Sequence, residues 1–354
     1  MKIGILTFHR AHNYGAVLQC YALQEVLKGM GHDVEVIDYR QPNIEECYKT
    51  MEIGLLLKRF IKLWDLYPYV VRSIKRYQCK KRFSDFRQRF LTLSTPCSRE
   101  NIPQYYDCYV IGSDQLWSDC VGYDKVYNGE FETNGSSIII GYAISSTVEY
   151  LKRMYTDNLL RKCCSNFSML SFREYPVCKY IQEHTGILCE TMIDPTLLST
   201  RSIWNSMVNN FVSPNRPYIV VYQARGYKND PHYLTPIAKN FADSKKMDLV
   251  DLSESECTVQ DFVSLIDKSE CVITSSFHAT AFSLILNKPI WAYCYNDGHD
   301  ARYRDLLKCV GLEDCVVNNN FQPVAIPQID YSKVESKLSV LRENALSYLK
   351  KSIQ

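Results

Sequence analysis

The stretch from Val272 to Tyr293, VITSSFHATAFSLILNKPIWAY, constrains the fold more than any other in the chain. It reads as a short apolar strand, a polar turn, a helix and a second apolar strand. Ser275, Ser276 and His278 occupy the turn where the helix begins. A helix N-terminus carries unpaired N–H groups and the positive end of the dipole, so it suits an anion. A histidine there can also move protons near neutral pH. Strand end, helix start and histidine together indicate a ligand crevice at the carboxyl edge of a parallel sheet. A helix-cap or core histidine gives the same pattern, and this window alone leaves both readings open.

The same plan recurs along the chain. Lys2–Phe8 is an apolar strand, residues from Asn13 to Met30 have a helical period closed by Gly29 and Gly31, and Asp33–Tyr39 is the next strand. This opening marks a parallel α/β sheet with a right-handed crossover. Further strands are expected at Tyr109–Ile111, Ile138–Tyr142, Phe167–Ser171 and Leu188–Met192. A second series follows at Tyr218–Tyr222, Asp248–Leu252, Cys271–Thr274 and Pro289–Tyr293. At 354 residues the chain is too long for one ordinary core. The expected architecture is two Rossmann-like domains with mostly parallel sheets facing a cleft, residues 1–200 and 205–330. The boundary is placed in the Asn/Ser/Pro-rich segment Ser199–Pro217, and a last helix from about Tyr331, within 331–354, is expected to pack back on the first domain.

Hydrophobic residues make up 46%, which excludes wholesale disorder, and no apolar run reaches the length of a membrane span. The apolar run after Met1 is too short for a signal peptide, so the expected location is the cytoplasm. The 15 cysteines include no C-x-x-C pair and no Cys/His cluster with metal-ligand spacing, so they read as reduced buried residues and no metal is expected.

The net charge of +2 is unevenly spread. Lys58–Arg89 holds 11 Lys/Arg against Asp65 and Asp85, or +9, leaving 30 − 37 = −7 for the rest. These residues lie in a helical insert of about 45–95 in the first domain. There Leu56, Phe60, Leu63, Trp64 and Tyr67 share one helical face, and Val70–Phe90 forms a second basic helical stretch. A basic amphipathic helix of this kind suits an anionic membrane surface. A solvated insert packed on its own domain is the plainer alternative. No nucleic-acid module is present, so nucleic acid is not an expected partner.

Three more motifs fall at strand ends. In HRAHNYGAVLQCYAL, Asn13, Tyr14 and Gly15 open a helix after the first strand, and Gly15 lets the backbone approach a ligand. The absence of G-x-G-x-x-G argues against a dinucleotide. An N-cap at Asn13 and a packing glycine at Gly15 would explain the same residues. In CYVIGSDQLWS, Ser113, Asp114 and Gln115 follow a buried strand, suited to binding vicinal hydroxyls or taking a proton; an ordinary capped turn is the alternative. In FSMLSFREYPVCKYIQEHTG, Arg173 stands at a strand end, suited to a phosphate or carboxylate, unless it forms only a surface pair with Glu174.

Taken in order, NYGAVLQCYAL, VIGSDQLW, SFREYP…KYIQEHTG, DPTLL and VITSSFHATAFSLILNKPIWAY resemble the polysaccharide pyruvyltransferase family over roughly Lys2 to Tyr293. The resemblance implies a GT-B-like fold. It also implies transfer of pyruvate from phosphoenolpyruvate to a sugar of a surface polysaccharide or lipid-linked precursor, forming a ketal and releasing phosphate. His278 and Arg173 match the family's functional histidine and arginine. Some members carry a second arginine where this chain has Ser276, and Arg225 and Lys288 are the two cations considered in compensation.

On this reading His278 and Asp114 are the catalytic candidates. Arg173, Ser275, Ser276, Asn13 and Gly15 are the donor-binding candidates, and Gln115, Ser113 and Tyr14 the acceptor-binding ones. Phosphoenolpyruvate serves as donor substrate and no separate cofactor is expected. The expected acceptor is a polyprenyl-diphosphate-linked glycan at the inner membrane face. The alternatives are a GT-B glycosyltransferase using a nucleotide sugar and a non-catalytic binding protein of glycan assembly.

Overall fold

A computed structural model describes residues 1–48, 66–208, 214–225, 227, 230, 232–253, 257–295, 300–318 and 320–354, with 66–72 as backbone only. The chain divides into two compact units, Met1–Asp194 with Leu349–Gln354, and Pro195–Tyr348. The division falls just upstream of the Ser199–Pro217 segment.

The first unit opens with β1 (Lys2–Leu6), α1 (Tyr14–Gly29), β2 (Asp33–Val36) and α2 (Pro42–Cys47). The basic helix α3 (Leu66–Phe90) follows, then β3 (Cys108–Ile111) and β4 (Ile138–Ile144). α4 (Val148–Met154), α5 (Asp157–Cys164), β5 (Met169–Phe172), α6 (Tyr175–Thr185) and β6 (Glu190–Thr191) complete the series. The sheet order is β2-β1-β3-β4-β5-β6, and its neighbouring strands pair in parallel. Its central strands are mostly apolar and buried on both faces: Ile3, Ile5, Val110, Ile111, Ile140 and Ile144 are all fully buried. The strand expected at Leu188–Met192 contracts to Glu190–Thr191. Both residues are exposed and pair only with β5, as an edge strand does.

The second unit contains α7 (Pro195–Leu198), α8 (Asn205–Val208), β7 (Tyr218–Tyr222), α9 (Leu234–Ser244), β8 (Asp248–Asp251) and α10 (Val259–Lys268). β9 (Cys271–Thr274), α11 (Phe277–Ile285), β10 (Ile290–Cys294), α12 (Ala301–Val310) and β11 (Val316–Asn318) follow. Its parallel sheet runs β11-β10-β9-β7-β8. The three-residue β11 is too short to show in the sequence. Two mostly parallel sheets flanked by helices give the GT-B-like class that the motifs imply.

The terminal helix α13 (Tyr331–Ile353) belongs to both units, through Tyr348 to the second and from Leu349 to the first. Arg342 Nε donates to Leu197 O at 3.0 Å within the second unit, and Ser352 Oγ lies 3.2 Å from Met169 Sδ within the first.

The basic helix splits by burial. Its C-terminal half packs on α1: Phe83 and Phe86 are buried, and Tyr21 meets Phe86 and Phe90 edge-on at 6.3 and 5.8 Å. Each such buried aromatic contributes roughly 1.5–3 kcal/mol. Between Ile74 and Lys81 the helix is mostly exposed, with Ile74 51% and Tyr77 63% accessible. The apolar stripe from Leu56 to Trp64 lies outside the described residues, as does the side chain of Tyr67. Among the described residues no helix is long and apolar enough to cross a membrane.

Candidate functional site

In the first unit the motifs at the ends of β3 and β5 meet. Arg173, in the residue after β5, directs Nε and Nη2 at Ser113 Oγ, at 2.9 and 2.7 Å. Its Nη2 also lies 2.5 Å from Asp194 Oδ2 and 3.9 Å from Asp114 Oδ1. The side chain is only 4% exposed. The surface pair with Glu174 is therefore not what forms. Glu174 turns away to accept from Ser145 Oγ at 2.6 Å and Ser146 N at 3.3 Å. Asp194, the first residue of the DPTLL motif, is the partner that sequence reasoning left without a role.

The backbone makes this meeting possible. Gly112 has φ +128°, and a Cβ there would stand 2.1 Å from Tyr142 O, so only glycine lets β3 turn so close to β4. Ser113 Oγ then donates to Ala143 O at 2.5 Å, and Ser145 N to Asp114 O at 2.8 Å. Asp114 itself has φ +83°, a left-handed conformation that aspartate tolerates better than most residues. Its carboxylate accepts from Gln115 N at 2.9 Å, which is the capped turn, yet the same carboxylate faces Arg173. Beneath it Trp117 is fully buried and donates Nε1–H to Tyr127 O at 3.0 Å, anchoring the motif in the core.

At the end of β1, Asn13 is the N-cap of α1, its side chain accepting from Ala16 N at 3.2 Å, while Gly15 is buried. Tyr14 stacks obliquely on Phe83, with ring centroids 5.4 Å apart. The loop before them carries a network that the motif reading missed. Asp38 accepts from His9 Nε2 at 2.9 Å and from Arg10 Nη1 at 2.8 Å. Burial alone would raise its carboxyl, but the hydrogen bonds and charges of His9 and Arg10 hold it down at about 2. His12 stacks on Phe83 at 5.5 Å; burial, then Arg87 and Lys80, drive its imidazole down to about 4. It is therefore neutral at physiological pH.

In the second unit, Ser275 and Ser276 follow β9 and α11 begins at Phe277. Ser276 is the N-cap: its side chain accepts from Ala279 N at 3.4 Å and its own N–H donates to Thr274 Oγ1 at 3.0 Å. His278 lies in the first turn of α11 and is 8% exposed. The buried hydroxyl of Ser275 adjoins that of Tyr295, in the residue after β10. Burial pushes the Tyr295 phenol up to about 12, against the opposing pull of Ser275 and Arg225. Neither hydroxyl completes a well-formed hydrogen bond among the described residues. Arg225 Nη2 lies 3.4 Å from Asp300 Oδ1, and its side chain is 31% exposed.

Strand polarity separates the two candidate cations. Arg225 follows the carboxyl end of β7, beside Ser275. Lys288 precedes β10, at the opposite edge of the sheet, where burial lowers its ammonium and Asp267 and Glu270 support it. Only Arg225 stands with His278's turn. Tyr295 is a further residue of this cluster that the sequence did not single out.

A Rossmann-like sheet in each unit, with polar and charged groups gathered at each carboxyl edge, defines a ligand-binding α/β protein. The model of the polysaccharide pyruvyl transferase family matches residues 13–297, and the chain belongs to that family of transferases. No curated protein matches the sequence significantly. Among solved structures it is similar to a UDP-GlcNAc 2-epimerase from Methanocaldococcus jannaschii, at 9% identity and TM-score 0.46, covering 97% of this chain and 93% of that one. A spinosyn rhamnosyltransferase complexed with spinosyn aglycone has 10% identity and TM-score 0.41, covering 100% and 96%. The ADP-heptose LPS heptosyltransferase II of E. coli has 13% identity and TM-score 0.37, covering 97% and 99%.

Proposed function

We propose that the protein transfers the pyruvate carbons of phosphoenolpyruvate to two hydroxyls of a glycan sugar, giving a ketal and inorganic phosphate. The observation that carries this reading is the group at the start of α11: His278 with Ser275, Tyr295 and Arg225. The donor is anionic at both its phosphate and its carboxylate. A helix N-terminus, two buried hydroxyls and a guanidinium suit such a group. In the first unit Arg173, oriented by Asp194 and Ser113, is the other candidate for an anionic group. Asp114, beside it, binds an acceptor hydroxyl or takes its proton, with Ser113 and Gln115 as neighbours.

The proton balance closes on one relay. The donor's terminal carbon gains one proton as CH2 becomes CH3, which makes the adjacent carbon electrophilic. Two sugar hydroxyls each form a C–O bond to that carbon and lose their protons, and the C–O bond to phosphate breaks. One hydroxyl proton replaces the one delivered to carbon, and the other leaves with hydrogen phosphate. His278 as imidazolium delivers the first and recovers its proton from the attacking hydroxyl.

The acceptor we propose is a polyprenyl-diphosphate-linked glycan reached from an anionic membrane surface. The exposed Lys75, Arg76, Lys80 and Lys81 with Ile74 and Tyr77 support peripheral contact. The test is to incubate the protein with phosphoenolpyruvate and galactose- or mannosamine-containing lipid-linked glycans. Acceptor-dependent phosphate release, with the mass and NMR of a pyruvate ketal, is the expected result. Glycosyl transfer from a nucleotide sugar, with no phosphate release from phosphoenolpyruvate, would replace this reading with that of a glycosyltransferase.

A further inference from the structure

Cys178, in α6, and Cys189, just before β6, bring their Sγ atoms to 2.8 Å across a separation of 11 residues. A covalent S–S bond is about 2.05 Å, so less than an ångström of closure separates the two thiols from a bond. Nothing in the proposed transfer reaction uses them. The turn between them is already folded back: Gly186 ends α6 with φ +73°, and Ile187 N donates to Thr185 Oγ1 at 3.1 Å. Cys178 Sγ lies 3.2 Å from Glu190 O, so it abuts the strand that Cys189 leads into. Cys178 is buried and Cys189 partly accessible, an arrangement with one thiol facing solvent and a second behind it to resolve.

We propose that Cys178 and Cys189 are a reversible dithiol–disulfide couple, a modification site that staples α6 to the edge strand β6 when a small-molecule disulfide oxidises it. The thiolate of the accessible Cys189 attacks one sulfur of the reagent; an S–S bond forms to the protein and one small thiolate leaves. Cys178, as thiolate, then attacks Cys189 Sγ and expels the second. One disulfide is consumed, two small thiols are released, and the protein's two thiol protons go to them.

The position gives the bond a consequence. Arg173 immediately precedes Glu174 and α6, and Asp194 follows β6, so the staple lies inside the segment whose two ends meet in the 2.5 Å ion pair. β6 is two exposed residues paired to one neighbour, the element of the first sheet most prone to open. Closing the turn covalently removes open conformations of the segment and fixes Asp194 on Arg173.

The test uses the full chain, purified reduced and then treated with oxidised glutathione. Non-reducing peptide mapping should find a linked peptide pair joining Cys178 to Cys189, lighter by two hydrogens and restored by dithiothreitol. The oxidised protein should melt a few degrees higher and show slower backbone hydrogen exchange over residues 187–194. Cys189→Ser should abolish both the link and the shift in melting. A stable glutathione adduct on Cys189, a link from either cysteine to a third, or both thiols remaining alkylatable would overturn the proposal. These readouts do not depend on transferase activity.

Discussion

Arg173 and Asp194 form an ion pair of 2.5 Å in which the side chains are 4% and 0% exposed, and the same guanidinium spans to Ser113 at 2.7 and 2.9 Å. One planar fork thus ties together the ends of three strands, β3, β5 and β6. Removing one member of such a buried pair leaves the other charge uncompensated.

Asp194→Ala would leave Arg173 buried without its carboxylate, a loss of roughly 3–5 kcal/mol in unfolding free energy. Arg173→Lys keeps a charge for Asp194 but not a fork that reaches Ser113 as well. This variant should fold, bind phosphoenolpyruvate more weakly and keep near-normal acceptor affinity. Urea denaturation together with separate donor and acceptor titrations measures both effects. Selective loss of acceptor binding would reassign Arg173.

His278 sits in the first turn of α11 beside the Ser276 cap, with 8% exposure. His278→Ala leaves the cap intact, so the melting temperature should move little. Turnover should fall at least ~100-fold, the scale of a lost general acid–base group. A folded variant that kept most of its activity would remove His278 from the chemistry.

Arg225 and Lys288 make a controlled comparison, because they lie at opposite edges of one sheet. A hydrogen bond to a charged group contributes about 1.5–3 kcal/mol. Arg225→Gln should therefore raise the KM for phosphoenolpyruvate by about tenfold or more. Lys288→Gln should leave it unchanged. Equal effects from both, or an effect from Lys288 alone, would contradict the placement of the donor anion beside Ser275.

The turn at Ser275–His278 was legible in the sequence because its signals are local. Three apolar residues and a threonine make β9, a serine caps α11, and the helical period starts at once. The alternative roles of Arg173 were not separable that way. Its partner Asp194 lies 21 residues further on and reaches it through the fold of α6 and β6, which no periodicity encodes. Tyr295 is one of 26 tyrosines, and only its place after β10, against Ser275, distinguishes it. The choice between Arg225 and Lys288 was within reach of the sequence. Parallel strands put the residue after β7 and the residue before β10 at opposite edges.

Asp38 provides a pH signature. Its carboxyl is held at about 2, below its ordinary 3.8, so its stabilising contribution is fully present above the ordinary value. That contribution is lost as pH falls from about 4 toward about 2, and the difference amounts to about 2 kcal/mol. Asp38→Asn should be less stable than the parent at pH 6, and the gap should narrow in this acid window. Denaturant midpoints measured across the window check it; a gap that stays constant with pH would show that the His9–Asp38–Arg10 network is not the cause.

The exposed part of α3 makes the membrane reading testable. Phe83 and Phe86 pin its C-terminal half to α1, so the helix is held by the first unit while Lys75, Arg76, Lys80 and Lys81 face solvent beside Ile74 and Tyr77. A basic residue near an anionic surface contributes about 1 kcal/mol, and four give reversible binding without insertion. The protein should sediment with phosphatidylserine-containing vesicles at low salt and be released at about 0.5 M salt, where the Debye length is only a few ångströms. Exchanging the four for Gln should abolish sedimentation while sparing activity on a soluble acceptor analogue, since none of them lies in the His278 or Arg173 clusters. Binding to neutral vesicles as strongly as to anionic ones would point to Ile74 and Tyr77 as the cause, and no binding to either would leave the exposed segment without a membrane role.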